Sequence, residues 1–280
     1  MTPNAERLLK FIIERQCIYI ARRAGKDKPW TNDPILRRYR FCNVYRELDT
    51  VTRWIAKNWR EPHDGDEHLW FAMVVARYIN LPTTLEAIKY PVPWNPAKVR
   101  LLLKERREAG LKTFNAAYII STQGQAKDKI DYVCDFFNEV WANRNMLRPL
   151  NGYTLSEYNS MLTGQRNIGS FMSGQIICDL KYANPLCNAS DWHTFAVSGP
   201  GSRRGLNRVM DRPFKQAWKE LDWYQHLIKL RMYINKNLPE GWEKLHAQDL
   251  QNCLCEFDKY RRAKLGEGRP KQKYPGNRGE

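Results

Sequence analysis

The sequence QRNIGSFMSGQ, residues 165–175, lies between two short segments that both have the apolar spacing of α-helices. Gly169 allows a tight turn between them, and the free N–H groups that open the second helix can donate to a phosphate. This pattern predicts a helix-hairpin-helix, which grips the backbone of duplex DNA without reading its sequence. A plain corner between two helices has the same spacing, and the charge of the chain favours the DNA-binding alternative.

The 280-residue chain is strongly basic, with 46 Lys and Arg against 30 Asp and Glu and a net charge of +16. This excess is spread along the sequence, which indicates a polyanionic partner such as DNA. No apolar run reaches the roughly 18 residues of a membrane-spanning helix, and no signal peptide is visible, so we expect a cytoplasmic protein without a membrane partner. The seven cysteines match no zinc or disulfide pattern, and neither a metal nor a cofactor is expected.

Apolar residues recur at helical spacing along most of the sequence, whereas the alternation typical of strands is scarce. The fold class is therefore predicted to be mainly α. No long linker interrupts the pattern, which indicates a single catalytic domain over residues 1–265. Residues 266–280 lose apolar residues and gain Gly, Pro and Lys, so they are expected to form a flexible basic tail that touches phosphates.

An acidic residue, Asp191, follows Gly169 by 22 residues. DNA glycosylases with a helix-hairpin-helix keep their catalytic carboxylate just beyond the hairpin, beside a base drawn out of the stack. The hairpin and Asp191 together predict a DNA-glycosylase-like helical fold. The alternative is that Asp191 caps the turn that follows it, and both roles can coexist.

The sequence SGPGSRRGLN, residues 198–207, predicts a glycine-rich loop that opens toward a helix. It lacks the lysine and the spacing of a Walker P-loop, so ATP hydrolysis on this chain is not expected. The N–H groups of Gly199 and Gly201 can instead cradle a phosphate or pyrophosphate, with Arg203 or Arg204 adding bidentate charge. A flexible surface loop is the alternative interpretation.

Near the N-terminus, Trp30 and Asp33 lie in a proline-framed loop that precedes a run of basic and aromatic residues. Such a combination suits a groove for a stacked base and its phosphates. Three polar residues follow at intervals of three, which on a helix would place them on one face: Arg40, Asn43 and Arg46. A solvated basic face is the alternative for the neighbouring arginines.

The sequence DLQNCLCEFDKYRR, residues 249–262, has the apolar spacing of a helix whose one face enters the core. Glu256 and Lys259 lie together with Asn252 on another face. A Glu and a Lys three residues apart most often form a surface ion pair worth about 0.2–0.5 kcal/mol. Their spacing alone does not make them catalytic.

Five motifs in combination give the chain a resemblance to a known family: PWTNDP (29–34), RFCNVYR (40–46), QRNIGSFMSGQ (165–175), GPGSRRGLN (199–207) and LCEFDKY (254–260). The chain resembles the phage amino-acid:DNA and putrescine:DNA transferases, also called α-glutamyl/putrescinyl thymine pyrophosphorylases. It is also similar to the helical domain of 5-hydroxymethyldeoxyuridine DNA kinases. The resemblance extends over residues 6–260.

The resemblance implies a step in thymidine hypermodification. A P-loop kinase pyrophosphorylates 5-hydroxymethyluracil in DNA, and an amine then displaces the pyrophosphate. The lack of a P-loop favours the transferase over the kinase for this chain. The implied partners are DNA with modified uracil, an amine donor (an amino acid such as glycine, or putrescine) and the DNA kinase. The sequence leaves the donor open.

The same resemblance assigns roles to the candidate residues. Arg46 and either Arg203 or Arg204 would stabilise the leaving pyrophosphate, and Asp191 or Glu256 would act as the base or hold the amine. The remaining candidates would contact DNA or substrate: Trp30, Asp33, Arg40, Asn43, Gly169, Gly199, Gly201, Asn207 and Lys259. Two alternatives stay open, a non-catalytic DNA-binding partner of the kinase and a glycosylase for modified bases; a glycosylase has no evident need for the basic loop at 199–207.

Overall fold

The computed structural model describes residues 3–115, 122 and 124–274, and in these residues the protein is built from helices without any strand. The prediction of a mainly α fold is confirmed. The thirteen α-helices of the described residues are α1 (Pro3–Arg23), α2 (Pro34–Arg38), α3 (Thr50–Ile55), α4 (Leu69–Ile79), α5 (Pro82–Ile88), α6 (Pro96–Glu108), α7 (Lys129–Ala142), α8 (Arg144–Leu147), α9 (Leu155–Gly164), α10 (Ser170–Leu180), α11 (Pro200–Val209), α12 (Glu220–Lys236) and α13 (Ala247–Lys264).

The chain divides into two compact units. One combines Met1–Asp49 with His193–Glu280, and the other is Thr50–Trp192. The first unit is therefore discontinuous in sequence and contains α1, α2, α11, α12 and α13, whereas the second contains α3 to α10. The lack of a long linker predicts a single catalytic domain over residues 1–265, and this stays a prediction.

Helix α13 is the centre of the first unit. Its apolar residues Leu250, Leu254 and Phe257 are buried at the spacing that the sequence predicts for a core face. They belong to one cluster with buried residues of α1, α11 and α12. Burying such side chains stabilises a fold by about 1.5–3 kcal/mol each, so this cluster holds the unit together.

Two glycines bring α11 very close to α13. A Cβ atom built on Gly205 would lie 2.1 Å from the carbonyl oxygen of Leu254, and one built on Gly201 would lie 3.0 Å from the Sγ atom of Cys255. No side chain fits at the first position without moving the backbone of α13. The two helices therefore touch because this face of α11 lacks side chains.

We expect Gly205→Ala to destabilise the protein by about 1–3 kcal/mol, the usual cost of overpacking a core, despite the better helix propensity of Ala. Urea unfolding followed by circular dichroism measures this change. The matched control is Gly164→Ala at the end of α9, where a Cβ atom meets nothing within 4 Å. Equal effects of the two substitutions would contradict the close contact between α11 and α13.

The second unit is built around α4, every residue of which is buried. A helix that is apolar on all sides belongs in a core. One charge enters this core, because Arg77 on α4 pairs with Asp179 on α10 at 2.5 Å, with the exposed fractions of the two side chains at 2% and 0%. Arg77 also donates to Thr52 Oγ1 at 3.1 Å, so the pair ties α4 to α10 and α3.

Helices α9 and α10 form the predicted helix, turn and helix around residues 165–169. The turn is made differently from the sequence prediction, since Gly169 has an extended backbone with φ −78° and Asn167 has the left-handed φ of 69°. Asparagine tolerates this conformation because its short side chain bonds locally. The binding of DNA by this hairpin stays a prediction.

The chain beyond α13 returns to the first unit. The N–H of Arg40 donates to the carbonyl of Gln272 at 3.0 Å, and the N–H of Tyr274 donates to the carbonyl of Arg38 at 3.3 Å. The ring of Tyr274 is buried. Residues 272–274 of the expected flexible tail are thus attached to the segment after α2, while 275–280 lie outside the described residues.

Candidate active site

The segment between α2 and α3 is not the helix that the sequence predicts. Residues 39–45 have no helical turn, and only a short 3₁₀ helix follows at Arg46–Leu48. The N–H of Arg40 bonds to the carbonyl of Gln272 at 3.0 Å and that of Asn43 to Asp49 Oδ1 at 2.9 Å. Because these donors have partners outside a helical ladder, the segment is extended. The prediction of one helix face for Arg40, Asn43 and Arg46 is wrong.

This extended segment is bonded along α13 by its backbone. The N–H of Cys42 donates to Glu256 Oε2 at 3.3 Å, and the N–H of Arg46 donates to Asp249 Oδ1 at 3.0 Å. The side chain of Asn252 donates to the carbonyl of Asn43 at 3.3 Å. The structure therefore brings the motif RFCNVYR against LCEFDKY, with Asn43, Arg46 and Glu256 in one place.

The ion pair between Glu256 and Lys259 is not a surface pair. Lys259 Nζ lies 2.6 Å from Glu256 Oε1, and the exposed fraction of the glutamate side chain is 4%. Burial is the largest single influence and would lower the pKa of Lys259, but the charge of Glu256, its hydrogen bond and the neighbouring Cys42 and Cys255 together raise that pKa. Lys259 is thus held as a cation beside a buried carboxylate.

Two further charged residues, Asp49 and Arg15, lie beside Asn43 and Cys42, and neither was predicted as a site residue. Asp49 accepts the N–H of Asn43, and Arg15 on α1, with an exposed fraction of 5%, donates to the carbonyl of Cys42. Arg15 falls three residues after the buried Ile12, and a charge at such a position is the signal that could have found it. We call the set Arg15, Asn43, Arg46, Asp49, Glu256 and Lys259 the charged cluster.

The pKa of Asp49 is raised within this cluster. Burial is the largest cause; the N–H of Asn43 and the charges of Arg46 and Arg15 lower the pKa, while the charge of Glu256 raises it. A carboxyl group with a raised pKa, that of Asp49, therefore lies beside the carboxyl group of Glu256. Such pairs are typical of acid–base chemistry.

We expect Asp49→Asn to gain stability over the wild type as the pH rises. A carboxyl group whose pKa is raised on folding stabilises the fold below its ordinary pKa of 3.8, and this contribution is lost as the pH rises through the raised value. Asparagine keeps an acceptor for the N–H of Asn43 and never ionises. Urea unfolding at pH 4 and pH 8, with the exposed Asp27→Asn as control, measures the difference. A difference that does not grow with pH would contradict the raised pKa.

Residues 200–207 form a helix and not the predicted loop. Helix α11 begins at Pro200, where proline is favoured, and Gly199 precedes it with an extended backbone and a hydrogen bond from its N–H to Ser202 Oγ at 2.9 Å. Gly201 and Gly205 serve the packing against α13. The prediction of a glycine-rich phosphate loop is wrong in its conformation.

The polar residues of α11 have partners within the first unit. Arg203 donates through Nη2 to Glu220 at 2.5 Å, and Arg204 donates through Nε to the buried Asp258 at 2.9 Å. The amide of Asn207 donates to the carbonyls of Phe214 and Gln216. Asn207 thus holds the segment after α11, while Arg203 pairs with the first residue of α12 and Arg204 with α13.

The loop PWTNDP contacts the C-terminal part of the same unit. Asp33 caps α2 by accepting the N–H groups of Ile35 and Leu36, and its second oxygen accepts the hydroxyl of Tyr260 at 2.6 Å. The ring of Trp30 lies 5.3 Å from that of Tyr274. Lys28 and Arg22 lie over the ring of Trp30 as well. Asp33 is therefore joined to the motif LCEFDKY, and Trp30 carries the aromatic and basic surroundings that the sequence indicates.

Asp191 and Gly169 belong to the second unit, whereas the residues of the charged cluster belong to the first. The carboxylate of Asp191 accepts the N–H groups of Leu155 and Ser156 at 2.7 and 2.9 Å and the hydroxyl of Ser156 at 2.7 Å. Asp191 thus caps α9, the first helix of the hairpin. Its catalytic role stays a prediction.

In the part of the chain that the structure describes, no group of three His, Cys, Asp or Glu side chains is placed so that it could hold a metal ion. The same described residues include no helix with the length and apolar content needed to cross a membrane. The candidate site consists of ionisable side chains and backbone donors.

A family model described as "5-hmdU DNA kinase, helical domain" matches residues 2–269. The chain belongs to this family. The 5-hmdU DNA kinase of Bacillus phage SP10 is 27% identical to this chain over an alignment of 278 positions, which covers 89% of this chain and 43% of the phage protein. The chain thus spans less than half the length of that relative. No solved structure matches it significantly.

Proposed function

We propose that this chain acts in phage thymidine hypermodification and transfers an amine onto 5-pyrophosphoryloxymethyl-deoxyuridine in DNA, with release of pyrophosphate. The helical-domain family supports the DNA context, because its name and that of the phage relative refer to 5-hmdU DNA kinase. The charged cluster is the observation that supports the proposal. It combines Arg46 of the motif RFCNVYR with Glu256 and Lys259 of the motif LCEFDKY, and both motifs belong to the transferase resemblance. Amine transfer needs both carboxylates and cations.

The reaction requires a proton acceptor and a stabiliser of negative charge. The amine nitrogen forms a bond to the 5-methylene carbon of the base, and the bond from that carbon to the pyrophosphate oxygen breaks with its electron pair. The incoming ammonium first loses a proton, which Glu256 accepts in this proposal, with Asp49 as its neighbouring carboxyl group. Arg46 and Lys259 stabilise the charge of the leaving pyrophosphate.

The proposed partners follow from this reaction. They are DNA with modified uracil, an amine donor and the kinase that supplies the pyrophosphorylated base, all in the cytoplasm of the infected host. A carboxylate-bearing donor such as glycine would be recognised by an arginine, whereas putrescine would need a further carboxylate. The charged cluster holds both kinds of side chain, so both donors belong in the test.

A second candidate is a non-catalytic DNA-binding partner of a 5-hmdU DNA kinase. The observation that favours it is that the matching relative is named as the kinase and is more than twice as long as the aligned region. A glycosylase is less well supported, because three donors of α9 already engage the Asp191 carboxylate that it would use.

The test is to incubate the protein with DNA that contains 5-hydroxymethyluracil, a DNA kinase of this pathway, ATP and each candidate amine, and to analyse the digested nucleosides by mass spectrometry. We expect an aminated deoxyuridine that requires both proteins. A pyrophosphorylated nucleoside that stays unchanged with every amine would reject the transferase and favour the partner of the kinase. Release of free base would indicate a glycosylase.

A further inference from the structure

We propose that four arginines, located on α11, just after α11 and on α13, form a binding site for backbone phosphates of duplex DNA. We call Arg204, Arg208, Arg212 and Arg262 the arginine row. The inference rests on the proposed function only in taking DNA as the partner. It concerns side chains outside the charged cluster, and none of the four has a role in the proposed reaction.

A single buried carboxylate organises three members of the row. Asp258, with an exposed fraction of 0%, accepts Nε of Arg204 and Nε of Arg208, each at 2.9 Å. Arg262 Nε lies 3.3 Å from the same carboxylate. One guanidinium is enough to balance one carboxylate, so the three together leave a surplus of positive charge at this place.

The fourth arginine is held in the same manner by a different acceptor. Arg212 donates through Nε to Gln216 Oε1 at 2.9 Å and through Nη2 to the carbonyl of Ala217 at 3.2 Å, and its guanidinium lies 3.5 Å from the ring centre of Trp218. The guanidinium of Arg208 lies 4.6 Å from the ring centre of Phe214. A planar guanidinium fixed by an acceptor and an aromatic ring loses little conformational entropy when it binds an anion.

Arg204 and Arg208 bond to Asp258 through Nε, which leaves their terminal nitrogens for other acceptors, whereas Nε of Arg262 lies near that carboxylate without a hydrogen bond. The side chains of Arg204 and Arg262 are 32% and 34% exposed, and among the described residues their ion pairs are with Asp258 alone. Arg208 is more covered and also pairs with Glu267 through Nη2. A guanidinium with free terminal N–H groups matches a phosphate bidentately. Several such guanidinium groups suit the successive phosphates of a DNA backbone. The net positive charge of the protein also favours DNA as the partner.

The experiment measures the dissociation constant of a short unmodified DNA duplex over a series of NaCl concentrations, for the wild type and for Arg212→Gln/Arg262→Gln. We expect the slope of log K against log salt to become shallower by about 0.9 for each lost phosphate contact, hence by about 1.8 for the pair. The control Arg23→Gln/Lys229→Gln removes two exposed cations of the same unit and keeps the wild-type slope.

An unchanged slope in Arg212→Gln/Arg262→Gln would overturn the inference and leave the row as an internal ion network. Thermal unfolding checks that the variants are folded. Arg212→Gln alone, which leaves every bond to Asp258 intact, provides a second test with an expected change of about 0.9. A chain that shows these slopes but yields no aminated nucleoside would reject the proposed transfer and leave the arginine row standing.

Discussion

Glu256→Gln is expected to lower the rate of amine transfer by roughly 10²- to 10⁴-fold, the usual contribution of a positioned general acid or base. Glutamine has nearly the same shape and still accepts the N–H of Cys42, which Glu256 accepts at 3.3 Å. It cannot take a proton from the incoming ammonium. The mass-spectrometric assay under single-turnover conditions, on DNA that already carries the pyrophosphorylated base, measures this rate.

The control for this substitution is Glu240→Gln, which changes an exposed glutamate of the same unit. Duplex binding by Glu256→Gln should remain close to that of the wild type, because the arginine row is intact. Asp191→Asn in the same assay compares the two carboxylates that the sequence proposes as the base. A rate for Glu256→Gln equal to that of the wild type would exclude Glu256 as the proton acceptor.

Arg77→Met is expected to destabilise the Thr50–Trp192 unit by about 3–5 kcal/mol. The substitution keeps most of the volume of the side chain but removes the guanidinium from Asp179, whose side chain has an exposed fraction of 0%. A buried carboxylate that loses its cation carries an uncompensated desolvation penalty. Urea unfolding, with hydrogen exchange to assign the affected unit, measures the change.

The double variant Arg77→Met/Asp179→Leu separates charge from packing. Replacing both members of a buried pair by apolar residues of similar size is often neutral or stabilising, so the double variant should recover much of the lost stability. If it is as unstable as Arg77→Met alone, the loss arises from packing or from the bonds of Arg77 to Thr52 and Asn80.

Helices with a strong apolar pattern could be predicted from the sequence. The spacing of Leu250, Leu254 and Phe257 identifies α13 and its core face, because each turn of a helix places neighbouring apolar residues on one side. The hairpin of α9 and α10 was likewise visible, although Asn167 supplies the left-handed residue of its turn. Local sequence patterns are sufficient to predict a helix where its conformation depends on residues within one or two helical turns.

Two segments could not be predicted, because distant residues decide their conformation. Residues 39–45 are extended since their N–H groups bond to Gln272, Asp49 and Glu256, which no local pattern reveals. Glycines at 201 and 205 indicate a loop in isolation, but in the fold they let α11 approach α13. Tertiary packing overrides local propensity in both cases.

The charged cluster was predicted in part. Arg46, Asn43, Glu256 and Lys259 belong to motifs that the sequence singles out, whereas Asp49 and Arg15 needed the fold to bring them in. Asp49 follows Arg46 by three residues, but the sequence does not show that it accepts the N–H of Asn43. Its place in the cluster depends on the extended conformation of residues 39–45.

Because the first unit is discontinuous in sequence, its two parts are synthesised at different times. Helix α1 leaves the ribosome early, but its packing partners α11, α12 and α13 belong to His193–Glu280. At about 5–20 residues per second, synthesis of the intervening Thr50–Trp192 takes on the order of ten seconds. During that interval Leu8 and Ile12, which are buried in the folded unit, lack the partners that cover them and form an apolar segment on which chaperones can act.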